Sequence, residues 1–198
     1  MIYPQSLEEL ILYFKKLPGV GEKSAERLAL SVVNFSQEDS EGLSKAVQNV
    51  KKKLHKCTLC GHLTDKEICD ICTNKYRNQD TICVVEDYKS IFMFEKIGKY
   101  EGVYHVLDGL ISPIEGINPD DINIASLLAR CAKKDKLEVI IALKPTIEGE
   151  ATTLYINKIL NNKDIKVSRL AYGIPMGAEI DYLDALTLER ALNDRQAL

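Results

Sequence analysis

The sequence predicts a mixed α/β chain in four parts: a helical front module, a small four-cysteine metal finger, a parallel α/β domain and a helical tail. Three observations carry this. Two Cys-x-x-Cys pairs, Cys57 with Cys60 and Cys69 with Cys72, stand eight residues apart and divide the chain. Before them, apolar residues recur at helical spacing. After them, short β-rich runs alternate with helical patterns, as in a parallel sheet. The expected boundaries are 1–54, 55–77, 80–172 and 173–198.

The front module comes first. Ser6-Leu7-Glu8-Glu9 reads as a capping box that opens a helix with Leu7, Leu10, Ile11 and Phe14 on one face. That helix stops at Leu17-Pro18-Gly19-Val20-Gly21. A second helix carries Ala25, Leu28, Ala29 and Val32, and a third carries Leu43, Ala46, Val47, Val50 and Leu54. Pro18 ends the first helix, and two glycines permit a tight turn of unusual dihedrals. The turn aims free N–H groups of the next helix at an anion. Lys23 and Arg27, four residues apart, share a face beside it. Gly19, Gly21, Lys23 and Arg27 therefore form a compact phosphate clamp. The stretch Leu17 to Ala29 resembles the helix–hairpin–helix motif of DNA-repair proteins, which grips the backbone without reading bases. An ordinary helical hairpin is the plainer alternative.

The eight residues between the cysteine pairs are too few and too polar to build a core, so a metal must hold them. Four thiolates in two turns complete a tetrahedral shell, and the reading is one structural zinc held by Cys57, Cys60, Cys69 and Cys72. Two disulfides, a redox pair or an iron–sulfur site are the alternatives. His55 and His62 flank the first pair and read as exposed non-ligands. Cys83 and Cys131 lie among apolar residues and read as core.

The rear domain opens with the strand Thr81–Glu86, followed by a helix through Lys96 and a strand over Val103–Leu107. Asn118-Pro119-Asp120-Asp121 reads as a helix start with Pro at its first position. Leu137–Leu143 and Ile165–Leu170 are further strands, with a helix over Ala151–Leu160 between them. Functional groups then belong at the carboxyl ends of strands. Glu86 ends the first, and Lys144 to Glu150 follow the third. This pair resembles the Toprim domain of topoisomerases, bacterial primases and some nucleases. That resemblance implies carboxylates that bind magnesium for phosphoryl transfer. The chain keeps Glu86 and has Glu148 and Glu150, but Lys144 and Thr146 stand where the pattern has an Asp-x-Asp pair. A charged lysine repels the ion, and threonine is a poor ligand. The expectation is a Toprim-like scaffold without catalytic residues. A magnesium-dependent nuclease, primase or topoisomerase is the alternative, and a protein-binding module a third reading.

Net charge is −3, which alone argues against a simple basic nucleic-acid binder. Residues 1–77 hold twelve Lys and Arg against ten Asp and Glu, and the remainder fourteen against nineteen, so the modest basic excess lies at the front. Lys51, Lys52, Lys53 and Lys56 contribute to it, a run that is usually a solvated helix face. No apolar run is long enough to span a bilayer, and Met1-Ile2-Tyr3-Pro4-Gln5 has no basic leader pattern, so a cytoplasmic, non-secreted protein is expected.

The order of hairpin, four-cysteine finger, Toprim-like domain and a Gly/Pro-rich tail ending in a helix resembles the RecR family of bacterial recombination mediators across nearly the whole chain. The resemblance implies a non-enzymatic homo-oligomeric ring, usually a tetramer. It also implies DNA binding, nucleoid association when bound, and action with RecO and RecF in loading recombinase at single-stranded gaps. By the same resemblance, Glu86, Glu148 and Glu150 are expected to meet a basic partner, RecO.

Overall fold

The structure, a computed structural model, describes residues 2–132, 136–161, 165–171 and 173–195. It forms two compact units, Met1–Leu54 and His55–Leu198. In the first, α1 (Gln5–Lys15) packs on α2 (Glu22–Val33) through Ile11, Ala25 and Ala29, with Leu7, Leu10, Phe14 and Val20 around them. The two alanines, both 0% exposed, let the helix axes approach closely. The capping box expected at Ser6 does not form. Pro4 is the N-cap, and its carbonyl accepts from Leu7 and Glu8, both at 3.0 Å, so Ser6 is already inside the helix. Pro4 is held at φ −57°, which pre-sets this earlier start. Leu28, expected on the inner face of α2, is 39% exposed.

A third helix, α3 (Gln37–Lys53), is capped by Ser36, whose Oγ accepts from Asp39 N at 3.0 Å. Its apolar stripe of Leu43, Val47 and Val50 is 42%, 59% and 55% exposed, and no residue of the helix is buried. An amphipathic pattern records which face is apolar, and here nothing among the described residues of the unit covers that face.

The second unit opens with the finger: β1 (His55–Lys56) pairs antiparallel with β2 (Leu63–Thr64), and the short α4 (Asp70–Thr73) follows. Behind it, β3 (Asn78–Val85), β4 (Gly102–Val106), β5 (Leu137–Ala142) and β6 (Ile165–Arg169) form a parallel sheet ordered β4-β3-β5-β6. Successive side chains of β3 alternate between its faces. Ile82 and Val84 join Leu127, Val139, Ile156 and Leu160 on one side, under α6 (Ile124–Cys131) and α7 (Ile147–Leu160). Cys83 and Val85 join Ile91, Tyr104 and Val106 on the other, under α5 (Tyr88–Ile97). Both faces are covered, which is why these strands read as continuous apolar runs. Cys83 and Cys131 are core residues, 2% and 1% exposed, and burial pushes the Cys83 thiol up to about 12.

Two further helix starts differ from the sequence reading. Asn118 does cap, but only the single 3-10 turn Pro119–Asp121. Ile122 then goes extended to bury its side chain, and α6 begins at Ile124. The helix expected from Ala151 begins at Ile147, because Thr146 Oγ1 accepts from Gly149 N at 3.2 Å and caps it. Tyr172, the expected end of the rear domain, lies outside the described residues. The tail makes a turn at Ile180–Tyr182 and ends in α8 (Ala185–Asn193), capped by Asp184.

Candidate metal centre and nucleic-acid interface

The hairpin of β1 and β2 bends the first cysteine pair into a turn. Cys57 N donates to His62 O at 2.7 Å, and Gly61 N to Cys57 O at 2.9 Å. The second pair straddles the start of α4, with Cys69 at its N-cap. Backbone amides point at the sulfurs: His62 N lies 3.4 Å from Cys60 Sγ and Cys69 N 3.3 Å from Cys57 Sγ. All four sulfurs lie within 4.8 Å of one another, and Cys60 and Cys69 are 3.6 Å apart. A tetrahedral zinc with bonds of about 2.3 Å needs sulfurs roughly 3.8 Å apart. The cluster therefore fits one ion.

Four thiolates fill a tetrahedral shell and leave no open position for water, and Cys57, Cys60 and Cys69 are at most 3% exposed with Cys72 half-buried, so the site is structural rather than catalytic. Sulfurs this close compete for protons: Cys60 donates toward Cys69, holding Cys69 below the ordinary thiol range and Cys60 above it. A dication would stabilise all four thiolates at once. The four are free thiols, not disulfides. His55 is exposed as expected, but His62 is not: it is 8% exposed and its ring packs edge-on against Phe92, centroids 5.0 Å apart. Burial lowers its basicity, and it docks the finger on α5 instead of facing water.

In the first unit, the turn between α1 and α2 is set by Gly19 at φ +79°, the left-handed region that glycine enters without strain. Gly21 differs from expectation: its φ of −79° is ordinary, and it serves as the N-cap of α2. Glycine has no side chain to cap with, so the first amides of α2 stay open. Lys23 and Arg27 are both exposed one turn apart on α2. Lys15 pairs with Glu22 at 3.3 Å, an ion pair beside the turn that the sequence does not reveal.

The carboxyl edge of the sheet gathers the other expected residues without uniting them. Lys144 Nζ donates to Glu86 Oε1 at 2.9 Å, and this bond raises the lysine's pKa. Glu148 sits in the first turn of α7, where its own backbone N–H and the Thr146 side chain hold its carboxyl below the usual range. Gly149 must be glycine, since a Cβ there would lie 1.9 Å from Lys144 O. Glu150 turns away to Arg190 at 3.2 Å and Arg169 at 3.5 Å, and Arg169 also holds Asp194 at 3.0 Å. This four-residue network fastens α8 to the sheet. Sequence reasoning misses it, because its members lie up to forty-four residues apart (Glu150 to Asp194). Among the described residues, the four cysteines are the group of ligand-type side chains close enough to share an ion.

Comparisons with known proteins agree along the whole chain. Family models match as follows: RecR, helix-hairpin-helix, at residues 7–51; the RecR zinc finger domain of four cysteines at 54–74; Toprim domain at 80–171; and RecR, C-terminal, at 173–196. The chain is 48% identical over 199 residues to the "Recombination protein RecR" of Lactobacillus helveticus, covering 100% of both. It is 48% identical over the same length to the protein of that name from Lactobacillus acidophilus, again covering 100% of both.

Proposed function

Since the chain belongs to the RecR family of recombination proteins, we propose that it is a non-catalytic recombination mediator that holds DNA as a homo-oligomeric ring. In this reading it is a tetramer, acts in the cytoplasm and on the nucleoid, and works with RecO and RecF to load recombinase at single-stranded gaps. One observation carries the DNA reading: Lys23 and Arg27 stand exposed on α2 beside its uncapped N-terminus. Open amides and two cations on one face grip phosphate without reading sequence. The uncovered stripe of α3 supports self-association.

Lys23→Ala/Arg27→Ala, titrated with DNA across a salt series, should bind more weakly. Its log–log salt slope should be shallower by about 0.7–0.9 per lost phosphate contact. Zinc content and native mass should be unchanged. Affinity and slope equal to the parent's would show that DNA is held elsewhere.

Of the three acids, Glu148 is the one that supports contact with RecO, because Glu86 is already neutralised by Lys144 and Glu150 by Arg169 and Arg190. The Lys144 ammonium on Glu86 also stands against magnesium chemistry at this edge. Magnesium-dependent nicking by clean protein, abolished by Glu86→Ala, would overturn the non-catalytic reading.

A further inference from the structure

Helix α5 buries Ile91 at 0% exposure and turns a second, different face outward. Lys89, Phe92, Met93, Lys96 and Ile97 are all exposed, and their spacing of three, four, seven and eight residues places them on one stripe. Phe92, Met93 and Ile97 are 51%, 62% and 64% exposed. The helix has one acid, Glu95, and it faces inward, pairing with Arg77 and accepting from Tyr104 Oη at 2.6 Å. The stripe is thus cationic and apolar with no negative charge, on a part of the chain (residues 78–198) where nineteen acids outnumber fourteen bases.

We infer that this stripe is a docking surface for an acidic amphipathic helix of a partner protein. An apolar row on that helix would cover Phe92, Met93 and Ile97, and flanking carboxylates would meet Lys89 and Lys96. The stripe is roughly 12 Å long, about two turns of such a helix. A nucleic-acid backbone satisfies the lysines but leaves three large apolar side chains wet. An anionic bilayer is disfavoured by the acid excess of residues 78–198 as a whole. A second copy docked symmetrically would set lysine against lysine. The inference is independent of the DNA reading.

The test uses the full-length zinc-bound protein. The probe is a labelled synthetic helix of about 14 residues, with leucines at helical spacing flanked by glutamates. A scrambled peptide of the same composition is the control. The patterned peptide should bind, and Lys89→Glu/Lys96→Glu should weaken it by about tenfold or more. A lysine-flanked version of the peptide should recover binding to that variant. Met93→Ser/Ile97→Ser, which leaves the charges in place, should weaken binding as well and keeps the test valid should the charge reversal not fold. Equal binding of the scrambled peptide, or unchanged affinity in both variants, overturns the proposal. So does a variant that instead loses binding to vesicles containing phosphatidylglycerol or to a single-stranded oligonucleotide, or one whose native mass falls, which would make the stripe a contact between copies.

Discussion

His105 lies within β4, 1% exposed, with Nε2 donating to Asn123 O at 2.8 Å and Nδ1 accepting from Arg130 at 3.3 Å. A second proton would have to enter at Nδ1, against the guanidinium, inside the core. Burial, with Arg130 adding to it, lowers the pKa from 6.5 to about 4, while the bond to Asn123 opposes the shift. The unfolded chain then takes up a proton near pH 6.5 that the fold refuses until about pH 4, so stability rises with pH across that window. A shift of this size is worth about 3 kcal/mol, fully present above pH 6.5 and lost as pH falls toward 4. The urea midpoint should drop between those values. His105→Asn should flatten the drop, and an equally steep fall in that variant would assign it to other groups.

The finger does more than enclose an ion, because it closes an edge of the sheet. β4 is the outer strand of the order β4-β3-β5-β6, and an open edge invites pairing with other chains. Cys60 O accepts from Val106 N at 2.8 Å, Gly61 sits against Val106, Lys56 pairs with Asp108, and Ile71 packs with the core under α5. Structural zinc sites contribute on the order of 10 kcal/mol of folding energy. Cys57→Ser should therefore lose zinc and lower the melting temperature of the whole Toprim-bearing unit, with aggregation through β4. A variant that loses zinc while that unit melts as the parent does would show the two to be independent.

The cysteine pairs, the strand–helix alternation and the glycine turn are legible in the sequence because each is set within a few residues by spacing alone. The start of α7 lies four residues before the expected one, because Thr146 acts as a cap where the Toprim pattern presents it only as a missing ligand. The buried His62 and the Glu150–Arg169–Asp194–Arg190 network are not legible, since burial and long-range ion pairs depend on which elements meet.

At the scale of the whole molecule, the proposed function asks a chain of net charge −3 to hold a polyanion, and one clamp of two cations and a few amides would be a weak site. The proposed ring would resolve this by presenting several clamps to one strand, so that each later contact forms at a high effective concentration. In that reading assembly governs capture as much as the clamp does. The stripe on α3, with Val47 59% and Val50 55% exposed, is the first-unit surface proposed to mediate self-association. Val47→Glu/Val50→Glu would place charge in any contact made there while disturbing no buried residue of the unit. Its native mass should fall, zinc should be retained, and stable capture of gapped DNA should be lost although Lys23 and Arg27 are intact. The loss should exceed that of Lys23→Ala alone, because removing neighbours removes every later contact at once. Native mass spectrometry with and without DNA, beside a binding titration, reads both quantities. An unchanged mass would place the subunit contacts elsewhere, and a smaller assembly that still captures DNA at the parent's affinity would overturn the dependence of capture on the ring.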